Sequence, residues 1–113
     1  MGVALKRVVS RGEVFLVQLD PTRGSEIPKT RPCVVVSPDD LNHYVRTLIV
    51  APMTTGGHTY PFRIPCRFQR RAGHIVLDQV RTVDAERLVR RLGVLAPETL
   101  EASLSVLREM FAS

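Results

Sequence analysis

Short apolar runs broken by Gly and Pro fill most of this chain, and a helical period appears only at its end. The runs are EVFLVQL over 13–19, CVVVS over 33–37, TLIVAPM over 47–53, YPFRIPC over 60–66 and HIVLDQVRT over 74–82, with a last short one near Leu92–Leu95. Segments of this length rich in Val, Leu and Phe predict strands. Pro52 falls near the end of its run, and Pro61 with Pro65 demote theirs to a sheet edge, because proline has no N–H for the ladder. In the 74–82 run, alternation puts Ile75 and Leu77 on one side and Val76 and Val80 on the other. Beyond it the period changes. Pro97 suits a first helical position and Glu98 the positive helix start. Leu100, Leu104, Leu107 and Phe111 then recur as one apolar stripe, which predicts a packed helix over 97–111.

The expected fold is therefore mainly β with a C-terminal helix, a small and strongly bent sheet or open barrel. Strands that are apolar on both faces need cover on both. The helix supplies part of it, and a second copy of the chain is the economical source of the rest.

At 113 residues the chain is expected to be a single domain over 1–113, with an N-terminal arm over 1–10. Sixteen Lys and Arg against 11 Asp and Glu give a net charge of +5, which favours a polyanionic partner. Cys33 and Cys66 are the only cysteines, and without a CxxC pair or a dense framework they do not describe a secreted disulfide scaffold. Cys33 is expected to pack as a small buried residue. Met1–Ser10 runs from a short apolar piece to Lys6-Arg7, the reverse of an export signal, so a cytoplasmic location is expected. No apolar run approaches membrane-spanning length.

One loop is unusual. PTRGSEIPKTRPCVVVS over 21–37 carries Arg23, Glu26, Lys29 and Arg31 directly into an apolar strand. That segment belongs to a series of four, RGEVFLVQLDPTRGSE, KTRPCVVVSP, LIVAPMTTGG and LDQVRTVD, which together resemble the MazF/PemK toxins of bacterial toxin–antitoxin pairs. Each fragment is weak alone; their order and separation are specific. The resemblance spans about residues 11–111. It implies an SH3-like barrel acting as a homodimer, and a sequence-specific, metal-independent endoribonuclease that cuts single-stranded RNA, chiefly mRNA. It further implies 2′,3′-cyclic phosphate and 5′-hydroxyl products, no cofactor, and an acidic antitoxin whose tail covers the RNA groove.

The chemistry explains the charged loop. Cleavage by the RNA's own 2′-hydroxyl builds negative charge on a pentavalent phosphorus. A guanidinium suits it because two donors can meet two oxygens. Arg31 opens a strand, and Pro32 restricts its backbone to extended conformations, which holds the charge in place. The resemblance makes Arg31 the central catalytic residue and Thr54 the second, its hydroxyl donating to a nonbridging oxygen. Glu26 is the third candidate, as a base for the 2′-hydroxyl or as a brace for Arg31. Ser25 and Lys29, in the same loop, and Asp78 and Gln79, in LDQVR, are candidates for contact with RNA. Some relatives carry a histidine where this chain has Ser25 and an arginine where it has Val76, so that version of the mechanism is not expected here. After GSE, Ile27-Pro28-Lys29-Thr30 replaces the Gln-Gly type stretch usual in the family it resembles, which predicts a stiffer loop.

His43, His58 and His74 show no ligand spacing, and no metal site is expected. His58, four residues beyond Thr54, is the only one with a conceivable route to RNA. Arg63, Arg67, Arg70 and Arg71, interleaved with Phe62 and Phe68, form one basic cluster, and Arg87, Arg90 and Arg91 a second. Two rivals remain: a same-fold toxin that poisons gyrase, which lacks the arginine–threonine pair, and a non-catalytic RNA-binding barrel.

Overall fold

The computed structural model describes residues 8–113; the first seven positions of the expected arm, with Lys6 and Arg7, lie outside the described residues. Among the described residues, seven strands form one sheet: β1 (Glu13–Gln18), β2 (Thr30–Val35), β3 (Thr47–Thr55), β4 (Arg63–Phe68), β5 (Arg71–Val76), β6 (Arg81–Asp84) and β7 (Leu88–Val94). A four-residue helix α1 (Asp39–Asn42) and a longer α2 (Pro97–Met110) complete the regular elements, with 3₁₀ turns at Leu77–Gln79 and Ala85–Arg87. All pairings are antiparallel, and the sheet runs β4-β5-β3-β2-β1-β7 with β6 also on β3.

β3 is the pivot. Its first half, Thr47–Val50, pairs with β6, and its last three residues pair with β5. Pro52 falls between these two neighbours, where β2 alone is paired with it, so its missing N–H disturbs the ladder least. The same change of neighbour corrects the expected 74–82 strand. The chain leaves β3's second half after Val76, steps through Leu77–Gln79, and rejoins the first half as β6. That step turns Val80 to the side of Ile75 and Leu77, against the alternation expected from sequence.

Two apolar clusters lie on opposite faces of the same strands. Phe15, Val17, Cys33, Val35 and Val50 belong to one; Val14, Val34, Ala51, Met53 and Ile75 belong to the other. The first is enclosed by the bend of the sheet itself, with Leu48, Val83 and Leu88. The second is covered by Leu100, Leu104, Leu107 and Met110 of α2. Phe111, expected in that stripe, caps the helix end and is 75% exposed, and Met110 packs instead. Cover on both faces thus comes from within one chain. The uncovered apolar residues are elsewhere, notably Val89 and Val94 on the terminal strand β7.

β4 is an edge strand, as Pro61 and Pro65 predict. Its hairpin to β5 turns through Gln69 and Arg70, both left-handed at φ 50° and 67°, the geometry of tight two-residue hairpins. The hairpin reaches across to the other end of the sheet. Gln69 Nε2 donates to the Leu92 carbonyl at 3.0 Å, and the Phe68 ring abuts Gly93. The strands curve toward a barrel that this contact bridges without a ladder.

Candidate active site

The β2–β3 register fixes the geometry that matters. Cys33 pairs with Pro52, Val34 with Ala51 and Val35 with Val50. Continued outward by two residues, that register sets Arg31 opposite Thr54. Both are half-buried and line one open cleft of about 390 Å³. Arg31 Nε donates to the Pro28 carbonyl at 3.2 Å, and its terminal nitrogens have no partner among the described residues. The Thr54 hydroxyl has none among them either. These donors stand on strand ends, Arg31 held by its pairing with Val17 of β1 and Thr54 by its pairing with His74 of β5.

Thr54 is fixed from behind. It pairs with His74 of β5, and β5 approaches so closely that a Cβ on Gly73 would lie 1.7 Å from the Thr54 carbonyl oxygen. Only glycine fits there. His74 Nδ1 lies 2.8 Å from the Gly56 carbonyl, which only accepts, so Nδ1 carries the proton and pins the turn after Thr54.

The rest of the cleft is cationic and partly apolar. Arg71 and Arg90 line it, with Phe68, Met53, Leu92 and Cys66, and no Asp or Glu does. Partners separate the two basic clusters. Arg63 pairs with Asp78, Arg87 donates to the Gln18 and Asp20 carbonyls, and Arg91 pairs with the buried Glu13. The side chains of Arg71 and Arg90 have no hydrogen bond or ion pair among the described residues. Sequence reasoning named both clusters without sorting them, because the sorting depends on tertiary neighbours. Gly73 was missed too, though a glycine inside a strand run is a signal for close backbone approach.

Glu26, Asp78 and Gln79 line a different cleft, of about 430 Å³, with Ile27, Pro52, Val80 and Arg81. Here the polar groups are occupied. Glu26 Oε1 accepts from the Arg23 N–H at 2.8 Å, while the Glu26 N–H donates to the Arg23 carbonyl, which closes a small turn. Asp78 accepts two 2.9 Å bonds from Arg63, whose guanidinium stacks 4.9 Å from the Tyr60 ring centre. The Arg63 hydrogen bonds hold the Asp78 carboxyl below its usual range. Gln79 bonds the main chain of the 25–27 loop. Ser25 and Lys29 are exposed on that loop and line neither cleft. Lys29 holds a left-handed φ of 69° just before β2.

Cys33 is buried, and burial pushes its thiol up to about 12, so it is a packing residue. Among the described residues, no group of three His, Cys, Asp or Glu is placed to hold a metal ion. No helix among them is long and apolar enough to cross a membrane.

Residues 10–111 match the family described as PemK-like, MazF-like toxins of type II toxin–antitoxin systems. The chain belongs to that family. It is 36% identical over 95 residues to the endoribonuclease toxin MazF of Escherichia coli K12, covering 83% of this chain and 86% of that one. Its fold is that of a crystal structure of MazF from Deinococcus radiodurans, at a TM-score of 0.80 and 23% identity, covering 91% of this chain and 96% of the other. A mycobacterial endoribonuclease in complex with its cognate antitoxin superposes at a TM-score of 0.75 and 20% identity, over 89% and 92% of the two chains. Val76 is fully buried.

Proposed function

We propose that this toxin is a sequence-specific, metal-independent endoribonuclease of single-stranded RNA, chiefly mRNA, with Arg31 and Thr54 as its catalytic residues. The RNA's 2′-hydroxyl gives up its proton as its oxygen attacks the adjacent phosphorus, the bond to the 5′-oxygen breaks and that oxygen gains a proton, so the products carry 2′,3′-cyclic phosphate and 5′-hydroxyl ends. Arg31 faces the nonbridging oxygens and neutralises the charge that accumulates on them. It acts as a fixed positive charge and not as an acid, since a guanidinium gives up a proton reluctantly. Thr54 donates to the same phosphoryl group from the facing strand. One observation carries this reading: the terminal nitrogens of Arg31 and the hydroxyl of Thr54, without partners among the described residues, share an open cleft with Arg71 and Arg90 and without a carboxylate.

Glu26 is outside that cleft and its carboxylate closes its own turn, which favours a brace over a base. Ser25 and Lys29 project from the same loop and meet the RNA. The family's endoribonuclease relatives support the activity, and the antitoxin-bound neighbour supports a partner of that kind, an acidic segment that competes with RNA for the cationic cleft. The whole chain acts as one nuclease domain in the cytoplasm, as a homodimer that buries the exposed apolar residues of β7 and Phe111.

The test is incubation of the protein with mixed single-stranded RNA in EDTA, with Arg31→Ala as control, followed by mapping of the 5′-hydroxyl ends. Cuts at a common sequence, absent with the variant, are expected. Intact RNA, or cuts that need a divalent ion, would overturn the proposal.

A further inference from the structure

The 3₁₀ turn Leu77–Gln79 joins two loops that are remote in sequence. Asp78 holds Arg63 at the foot of the 56–62 loop, and Gln79 holds the 25–27 loop. The second link is the more specific. Gln79 Oε1 accepts from the Ile27 N–H at 2.8 Å, and Gln79 Nε2 donates to the Ser25 carbonyl at 3.1 Å. A primary amide presents one acceptor and one donor side by side, the pattern of a backbone peptide. It thus pairs with the loop as a neighbouring strand would. Only one orientation of the amide serves, because the Ile27 N–H cannot accept and the Ser25 carbonyl cannot donate.

The loop held this way leads to Arg31 in two steps. Ile27 is followed by Pro28, whose ring leaves its backbone little freedom, and the Pro28 carbonyl accepts from Arg31 Nε. Lower down, the Leu19 N–H donates to the Lys29 carbonyl at 2.9 Å and sets the loop's base on β1. Without Gln79, the segment from Ser25 to Pro28 keeps the turn made by Glu26 and the packing of Ile27 against the core, but loses both hydrogen bonds that fix its main chain to the Leu77–Gln79 turn. Arg31 would then lean on a carbonyl whose own position is loose.

Resting on the nuclease reading above, we infer that Gln79 is a positioning residue for Arg31, acting through the main chain of residues 25–28, and that it does not read an RNA base. Both ends of its amide are engaged in the free protein, so contact with a base would require these bonds to break first.

The experiment compares Gln79→Ala and Gln79→Glu with the unaltered full chain in three measurements: amide hydrogen exchange of Ile27 without RNA, kcat and KM on one oligonucleotide containing the mapped cut site, and binding of an uncleavable 2′-deoxy form. In Gln79→Ala the Ile27 amide should exchange about fivefold to tenfold faster, the gain expected when one ordinary hydrogen bond is lost. Its kcat should fall about 10- to 100-fold while KM and binding move less than about threefold, as when a catalytic group is misplaced without loss of substrate contact. Gln79→Glu keeps an acceptor for Ile27 and loses the donor to Ser25. It should protect Ile27 nearly as well and recover part of kcat, which a merely fold-stabilising side chain would not arrange in that order.

A fall in binding with kcat unchanged would overturn the inference in favour of direct RNA contact. Unchanged Ile27 exchange in Gln79→Ala would overturn it as well. The exchange measurement needs no activity, so a chain that cleaves no RNA would sink the nuclease reading and still report whether Gln79 holds the loop.

Discussion

The two clefts differ less in composition than in what their polar groups are already doing. Around Arg31 and Thr54 the terminal guanidinium nitrogens and the hydroxyl have no partner among the described residues, and the lining carries cations without a carboxylate. Around Glu26, Asp78 and Gln79 the polar side chains are engaged with Arg23, Arg63 and the backbone of residues 25–27. A hydrogen-bonding group satisfied within the protein must lose that partner before it can serve a ligand, and the loss costs about 1 kcal/mol or more. The first cleft is therefore the one whose polar groups are open to a ligand, while those of the second are engaged in holding the loop and turn beside it.

The largest effect should come from Arg31. Arg31→Ala removes the fixed positive charge and should lower kcat by about 10²- to 10³-fold, the range for loss of one transition-state donor. Arg31→Lys should recover little, because an ammonium lacks the fork that spans two oxygens. Single-turnover rates with saturating RNA check both, and full activity in Arg31→Ala would erase the contrast between the clefts.

Gly73→Ala tests the support behind Thr54. The added methyl would overlap the Thr54 carbonyl, a backbone atom that β3 cannot easily move. Overpacking of this kind costs about 1–3 kcal/mol. A fall of several degrees in the melting temperature is expected, with a loss of cleavage beyond what unfolding explains, because Thr54 moves with its strand. Thr54→Val tests the hydroxyl alone, since the shape is kept. A hydrogen bond to a charged oxygen is worth about 1.5–3 kcal/mol, so a drop of roughly 10- to 100-fold in kcat is expected with stability nearly unchanged.

Much of the fold could be read from sequence, for physical reasons visible at particular residues. The apolar runs at 13–19 and 47–53 became β1 and β3 because both faces of each strand are covered, so nearly every side chain had to be apolar. The helix was legible from Pro97 and the Leu100–Leu104–Leu107 stripe, but its last member was not. Phe111 and Met110 are adjacent, and only the end of the helix decides which one packs. The break at Leu77–Gln79 was illegible because it follows from a change of partner along β3. The short helix α1 was likewise missed; its Asn42 is held by Ser37, five residues away, in a buried pair that no period reveals. Of the candidate site, Arg31 and Thr54 meet because one β2–β3 register brings them together. Glu26 is near Arg31 along the chain but lines the other cleft, and the partner of Gln79 lies 52 residues away.

The Arg63–Asp78 pair offers a milder probe of the holding cleft. Arg63 lowers the folded-state pKa of Asp78 below its ordinary 3.8. The pair's contribution is thus present above that value and is lost as pH falls through the lower folded pKa. Asp78 is about two-fifths exposed, so solvent screens the pair and its contribution stays below about 1 kcal/mol. Asp78→Asn should lower the melting temperature slightly at neutral pH, and the difference from the unaltered chain should shrink under acid conditions. A difference that grows on acidification would mean the carboxylate is not stabilised by Arg63.

Glu26→Gln should do least, and for that reason it draws the boundary between the clefts most sharply. Glutamine keeps an oxygen that can accept from the Arg23 N–H, so the turn at 23–26 survives and Arg31 stays where it is. Cleavage within about threefold of the unaltered chain is expected, against the 10²- to 10⁴-fold that a lost general base removes. Glu26→Ala, which loses the acceptor, should open the turn and show faster amide exchange at Arg23. If Glu26→Gln instead abolished cleavage with RNA binding intact, the carboxylate would be acting as a base. The two clefts would then be one site divided by the strand that carries Arg31, with RNA passing from one to the other, and the engaged state of Glu26 would describe only the protein at rest.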